Sequence, residues 1–301
     1  MKTILLTGKD GQLGWEIERT FNNLGKVITF DRSTLDLSDQ NRLRKTIQNV
    51  KPDLIVNAAA YTAVDQAEKE PELAMAVNAV APGIMAEEAK KIGATLIHYS
   101  TDYVFDGSKK TPYLEDDPTN PVNVYGKSKL LGELAIQEQK IPYLIFRTSW
   151  VYSHRGNNFL LTMLKLMKER ESLNIVNDQF GAPTWSRTIA EISEQVLSKY
   201  SHNYSDLNKI NGVYNLTCSG VTSWYGFAEM IKSLAKGNLE HSEKLILSGI
   251  PSEQYPTPAE RPKYSQLSLE KISNTFGVKC PEWTKSLALC MNNIIASRSQ
   301  T

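Results

Sequence analysis

Residues 3–21 read TILLTGKDGQLGWEIERTF: a short apolar run, three glycines spaced three apart, then a helical period. Thr3–Thr7 predicts a buried strand, and Ile17 and Phe21, four apart, predict the inner face of a helix. Gly8, Gly11 and Gly14 fill the turn between them. Strand, glycine turn and helix N-terminus together make a phosphate cradle, because free backbone N–H groups and the helix dipole face an anion that glycine lets approach. With 17 glycines in 301 residues this spacing seldom arises by chance, and its place directly after a strand makes chance rarer still.

Outward from there the strand–helix alternation repeats. Lys26–Phe30 predicts the second strand, ending at Asp31, where a dinucleotide fold holds the adenosine ribose hydroxyls. Arg32, next to it, can instead accept a 2′-phosphate. Leu35, Asp36 and Leu37 open the next crossover, and Asp36 and Leu37 join the expected cofactor set. Asp53–Asn57 predicts a third strand, followed by Ala58, Ala59 and Ala60, small enough for a cofactor to lie near the backbone or for tight helix packing. Residues 71–92 predict a long helix kinked or broken at Pro82. Asn78 within it reads equally as a group beside the catalytic strand or as a satisfied core amide. Strands at residues 94–99 and 143–146 flank a helix at 123–139. The pattern predicts an α/β protein, a Rossmann-type doubly wound parallel sheet with ligands beyond the carboxyl ends of its strands.

After Arg147 the alternation fades. Leu173–Val176 is the expected sixth strand, residues 201–211 an exposed linker, and Val213–Leu216 and Lys244–Leu247 short strands of a smaller lobe. The expected division is a dinucleotide-binding domain at 1–150, with about 171–200 returning to it. A smaller C-terminal substrate-binding lobe takes about 151–170 and 201–301, including a proline-stiffened loop at 256–262.

Chemistry concentrates in Ile97–Lys129, IHYSTDYVFDGSKKTPYLEDDPTNPVNVYGKSK. Thr101 ends a strand, and Tyr125 and Lys129, four apart on a helix, share one face. A phenol beside a cation is an acid whose pKa the cation lowers, and a hydroxyl at the strand end can hold the oxygen that receives its proton. The three suit carbonyl reduction. Among 13 tyrosines and many lysines the Tyr-x-x-x-Lys spacing carries little alone, and it gains weight from the glycine turn at the start of the chain.

Composition narrows the classes. Hydrophobic content of 41% with 22% charged residues is ordinary for a globular chain, and a formal charge of +1 gives no reason to expect nucleic acid or an anionic membrane. No apolar run approaches the ~20 residues of a membrane helix, and Met1-Lys2-Thr3 leads into a strand rather than a signal peptide. Cys218, Cys280 and Cys290 lack metal-type spacing, and the four histidines (98, 154, 202, 241) make no close pair, so no metal ligands are assigned. A cytoplasmic enzyme with reduced thiols is expected.

These residues resemble an extended short-chain dehydrogenase/reductase of the nucleotide-sugar 4-ketoreductase branch, over nearly the whole chain. The resemblance rests on GKDGQLGWE (8–16), VNAAAYTAVDQAE (56–68), HYSTDYVFDG (98–107), NVYGKSKLLGE (123–133), FRTSWVY (146–152), NDQFGAPT (177–184) and RPKYSQL (261–267). It implies reduction of the C4 ketone of dTDP-4-dehydro-β-L-rhamnose by NADPH, with NADH also accepted, as the last step of dTDP-rhamnose synthesis. By that resemblance Tyr125 is the acid, Lys129 binds the nicotinamide ribose, and Thr101 holds the ketone oxygen. Gly11, Gln12 and Leu13 would meet the pyrophosphate, Asp31 the adenosine ribose, and Ala60, Tyr61 and Thr62 the inner half of the cofactor. Val64, Asp65, Asp102, Tyr103 and Trp150 match substrate-side positions, with a core tryptophan the other reading of Trp150.

Some members of that family form dimers around Mg²⁺ held by glutamates. Glu16 matches one such position, but Arg187 stands where another glutamate is expected, which favours a monomer or weak homodimer. Two other functions remain open. A GDP-sugar epimerase-reductase would need an additional Cys/His acid–base pair. An NADP(H)-binding regulatory subunit of methionine adenosyltransferase would need no turnover.

Overall fold

The computed structural model describes residues 1–236 and 245–298. Its centre is a six-stranded parallel sheet whose inner strands are buried on both faces. In chain order the first half runs β1 (Thr3–Thr7), α1 (Gln12–Thr20), β2 (Lys26–Phe30), α2 (Gln40–Val50) and β3 (Leu54–Asn57). Next come α3 (Val64–Ala67), α4 (Pro71–Met75), α5 (Ala81–Ile92), β4 (Thr95–Thr101), α6 (Val124–Glu138) and β5 (Tyr143–Thr148). β1 pairs with β2 on one side and β3 on the other. The chain thus reverses its direction of winding at β1, and a crevice opens beyond the carboxyl ends of β1 and β3.

Alternation along each strand divides the core. Ile4 and Leu6 face the layer holding Ile17 of α1, while Leu5 faces the layer holding Leu43 of α2 and Ile84 of α5. Thr7 and Asn57, the last residues of β1 and β3, stand in register with His98 in the middle of β4. By alternation they point to the side of Leu5, Ile55 and Leu96, the α5 and α6 side.

The long helix expected over 71–92 does not break at Pro82. Ala76–Val80 form a π-helical turn between α4 and α5, and Pro82 sits in the first turn of α5, where a missing N–H costs little. The turn aims Asn78 at the backbone of Tyr61, whose N–H it accepts at 2.8 Å and whose carbonyl it donates to at 3.0 Å. Asn78 is a satisfied core amide that fixes the loop after β3.

The second half continues with β6 (Val151–Tyr152), α7 (Phe159–Glu169), β7 (Ser172–Val176), β8 (Phe180–Gly181), β9 (Thr184–Trp185) and α8 (Ser186–Ser198). It ends with β10 (Gly212–Asn215), β11 (Thr222–Ser223), α9 (Trp224–Ala235), β12 (Ile246–Ile250), α10 (Glu270–Phe276) and α11 (Trp283–Arg298). The sixth strand of the main sheet is β10, paired with β5, and not Leu173–Val176. β7, which contains Leu173–Val176, pairs with β12 outside that sheet. The expected return of 171–200 is therefore limited: α8 shares the core of α1, whereas 172–176 stand apart, and 212–215 cross into the sheet from the segment expected in the lobe. Both runs are short and half-apolar, and only the tertiary pairing distinguishes them.

Residues 201–211 are not an exposed linker either. Tyr204–Ile210 form a 3₁₀ turn that buries Tyr204 and Leu207 against the sheet core. The strand expected from Lys244 begins at Ile246, with Lys244 itself and His241 outside the described residues. A separate apolar cluster joins α7, α9 and α11 through Leu160, Phe227 and Leu287. Among the described residues no helix is long and apolar enough to cross a membrane.

Candidate active site

Gly8 ends β1 with φ +77°, a conformation that favours glycine, and a Cβ there would stand 2.8 Å from the Ala59 nitrogen. A Cβ on Gly14 would meet the Gly8 carbonyl oxygen at 2.0 Å, so Gly14 serves the close packing of α1 on the turn. Gly11 caps α1 without a side-chain hydrogen bond, leaving the first-turn N–H groups to face the crevice.

The crevice is a cleft of about 420 Å³. Gly8, Gly11, Gln12, Leu13, Asp31, Arg32, Asp36, Leu37, Ala58, Ala60, Tyr61, Thr62, Tyr125 and Lys129 all line it. Of the expected cofactor residues only Gly14 lies behind the wall. Thr7, Leu35, Leu73, Val77, Thr148 and Val151 also line it; they are isolated small or apolar residues that no local pattern marks.

At the outer end the Asp31 carboxylate accepts from Ser33 Oγ at 2.6 Å and Thr34 N at 2.8 Å, with Lys9 Nζ at 3.0 Å. These hydrogen bonds hold it far below the usual carboxylate range. Asp36 accepts from Ser38 N at 2.9 Å and lies 3.8 Å from the exposed Arg32 guanidinium. Two cations, Lys9 and Arg32, therefore each stand beside an engaged carboxylate, Asp31 and Asp36 respectively.

At the inner end Thr101 Oγ1 donates to Asp102 Oδ1 at 3.0 Å and accepts from Tyr103 N at 3.2 Å. The Tyr103 and Tyr125 rings meet edge-on at 5.7 Å. Burial pushes the Asp102 carboxyl up to about 7, against the pull of the Ser265 and Thr101 hydroxyls. Burial also pushes the Tyr125 phenol up to about 12, with the Thr101 hydroxyl drawing it back. This differs from the expectation of a phenol lowered by Lys129. The Lys129 amino group turns to the strand beneath, donating to the Tyr99 carbonyl at 2.6 Å and lying 3.2 Å from His98 Nε2. Burial lowers Lys129 to about 8, and Glu133 acts the other way.

The substrate-side residues do not line this cleft. Val64 and Asp65 open α3, and Asp65 accepts from Arg261 Nη2 at 2.8 Å and from Ala259 N at 3.2 Å. Trp150, at φ +46°, stacks on Trp224 with ring centroids 3.6 Å apart. A second hollow of about 1010 Å³ lies beside them, walled by Lys109, Phe180, Tyr255, Arg261, Lys263 and Tyr264 among others. Arg261 and Trp224 were not singled out as site residues from sequence, although the RPKYSQL motif and the proline loop pointed to the former.

With this geometry in place, comparison decides the family. The model of the RmlD substrate binding domain matches residues 1–295. The chain belongs to that family. A dTDP-4-dehydrorhamnose reductase of Burkholderia thailandensis is 46% identical over 296 residues, covering 97% of this chain and 99% of the relative. The crystal structure of a dTDP-4-dehydrorhamnose reductase from Clostridium acetobutylicum superposes with a TM-score of 0.88 at 37% identity, covering 97% and 99% of the two chains. That of the Bacillus anthracis enzyme, solved in complex with NADP, gives a TM-score of 0.86 at 33% identity with the same coverage.

The cleft fits a dinucleotide, since its glycine floor, open helix N-terminus and flanking cations provide for phosphates. At the positions expected to hold magnesium, Glu16 is buried with its carboxyl raised by burial, and the cation of Arg187 acts on it in place of a second glutamate. Neither hollow is lined by a cysteine or histidine, so the Cys/His pair of an epimerase is missing from both among the described residues.

Proposed function

We propose that this chain reduces the C4 ketone of dTDP-4-dehydro-β-L-rhamnose to dTDP-L-rhamnose with NADPH, the last step of dTDP-rhamnose synthesis, and accepts NADH as well. What supports this is that Tyr125 and Lys129 line a dinucleotide-shaped cleft, with the Thr101 hydroxyl against the Tyr125 phenol, in a chain of this family. Bound in that cleft, the nicotinamide supplies the hydride. Gly11, Gln12 and Leu13 hold the pyrophosphate, Asp31 and Arg32 select at the adenosine ribose, and Ala60, Tyr61 and Thr62 wall the inner half.

Tyr125 gives its proton to the ketone oxygen as the hydride reaches C4, and the high proton affinity of the buried phenol suits an acid that stays protonated until then. Thr101 turns its hydroxyl from Asp102 to donate to the same oxygen. Lys129 holds the nicotinamide ribose and its positive charge stabilises the phenolate left behind. Val64, Asp65, Asp102, Tyr103 and Trp150 contact the sugar, and the stack on Trp224 presents Trp150 as an apolar wall. The enzyme acts in the cytoplasm as a monomer or weak homodimer, since Arg187 acts on Glu16 where a metal-linked dimer needs a second glutamate.

Calorimetry with dTDP, GDP and UDP in the presence of NADPH tests the substrate class. dTDP binding most tightly supports the proposal. GDP preference would favour an epimerase-reductase, and no nucleotide binding with NADPH retained would favour a regulatory subunit.

A further inference from the structure

Beneath the cleft lies a row of polar side chains that the reaction above does not use. Thr7, Asn57 and His98 occupy one register line across β1, β3 and β4, and each is 0–1% exposed. Thr7 Oγ1 donates to Asn57 Oδ1 at 2.8 Å, and Asn57 Nδ2 lies 3.0 Å from His98 Nδ1. His98 Nε2 lies 3.2 Å from Lys129 Nζ, and both ends of the row, Thr7 and Lys129, line the cleft. Apolar residues would fill this layer as well, because buried polar groups contribute little net stability even when paired.

A neutral imidazole carries one N–H, and burial together with Lys129 keeps His98 neutral. In the orientation seen, Nδ1 accepts from the Asn57 amide, so the ring proton sits on Nε2 and faces Lys129 Nζ. An N–H can face an amine lone pair but not an ammonium. When Lys129 is an ammonium it donates to Nε2, the ring proton moves to Nδ1, and the Asn57 amide turns to offer its oxygen. The Asn57 amide then donates to Thr7 Oγ1. Amide orientation is assigned from such networks, so the two states share one heavy-atom framework.

We infer that His98 is a positioning residue for the reductase, holding Lys129 through a Thr7–Asn57–His98 row whose hydrogen bonds reverse when Lys129 gains or loses its proton. The other groups facing Lys129 are Tyr125 and Glu133 on α6, the latter paired with Arg147 of β5 at 2.7 Å, and the Tyr99 carbonyl. Asp102 acts on Tyr125, and the neighbour of His98 on β5 is the apolar Ile145. Among these only the His98–Asn57–Thr7 row can change direction. Lys129 has its catalytic role only if the reductase proposal holds.

Two substitutions and one spectrum test the row. His98→Leu removes an acceptor of the ammonium and should move the descending limb of the kcat–pH profile down by about one pH unit. Asn57→Asp fixes the ring proton on Nδ1, favours the ammonium, and should move that limb up by about one unit. Loss of a merely structural residue would lower kcat without opposite shifts. Should either variant fail to fold, ¹⁵N NMR of the wild-type imidazole decides. The ring proton should reside on Nδ1 below the Lys129 transition near pH 8 and on Nε2 above it. One tautomer throughout, or limbs moving the same way, would overturn the inference. Absence of any sugar turnover would instead count against the reductase proposal, since the tautomer readout needs no activity.

Discussion

Arg261 Nη2 donates to Asp65 Oδ2 across 2.8 Å, joining residues 196 apart in sequence. The pair ties α3, just beyond the cleft-lining Thr62, to the loop that walls the second hollow. Asp65 is 42% exposed, so the ion pair contributes little stability and its value is positional. Arg261→Ala should raise KM for the dTDP-sugar about tenfold, the loss of roughly 1.4 kcal/mol, with the NADPH Kd unchanged. Steady-state kinetics beside cofactor titration checks it, and an equal loss in both affinities would place Arg261 in general stability instead.

Tyr125→Phe keeps the ring and removes the proton. It should lower kcat by about 10²–10⁴-fold, the usual range for a general acid, with cofactor affinity little changed. Near-normal turnover in the folded variant would remove Tyr125 from the mechanism.

The sequence disclosed the elements whose pattern is local. β1, β3 and β5 read as strands because burial on both faces leaves short apolar runs, β4 reads so despite His98 within it, and the glycine turn follows from its spacing. What it hid depends on distant partners. Leu173–Val176 and β10 look alike until their neighbours are known. Helical spacing places Tyr125 and Lys129 on one face, but not the strand acceptors that draw Lys129 to Tyr99 and His98. The stack of Trp150 on Trp224 joins residues from separate elements, and neither announces the other.

Cofactor choice rests on charge at the outer end of the cleft. Asp31 already accepts from Ser33, Thr34 and Lys9, so its repulsion of a 2′-phosphate is partly offset, and Arg32, exposed and only loosely paired with Asp36 at 3.8 Å, can attract one. NADPH should be modestly preferred. Arg32→Ala should shift the ratio of kcat/KM values towards NADH and Asp31→Ala towards NADPH. An unchanged ratio in both variants would move the ribose pocket elsewhere.

Asp102 links the site to pH. Its carboxyl, raised from 3.8 to about 7 by burial, holds a proton in the folded state that the unfolded chain releases. Its contribution to stability is therefore present below about pH 4 and lost as pH rises through about 7. Asp102→Asn, which cannot ionise, should match the wild type near pH 4 and exceed it at pH 8 by about 2–4 kcal/mol. Urea unfolding at both values measures this, and an equal difference at both would show that Asp102 does not titrate in that window.

The most direct test is turnover. Purified protein mixed with NADPH and dTDP-4-dehydro-β-L-rhamnose, followed by nicotinamide absorbance and by NMR of the product, should oxidise one NADPH per dTDP-L-rhamnose formed. NADPH bound but not consumed, or consumed only with a GDP-linked ketosugar, would contradict the reductase assignment.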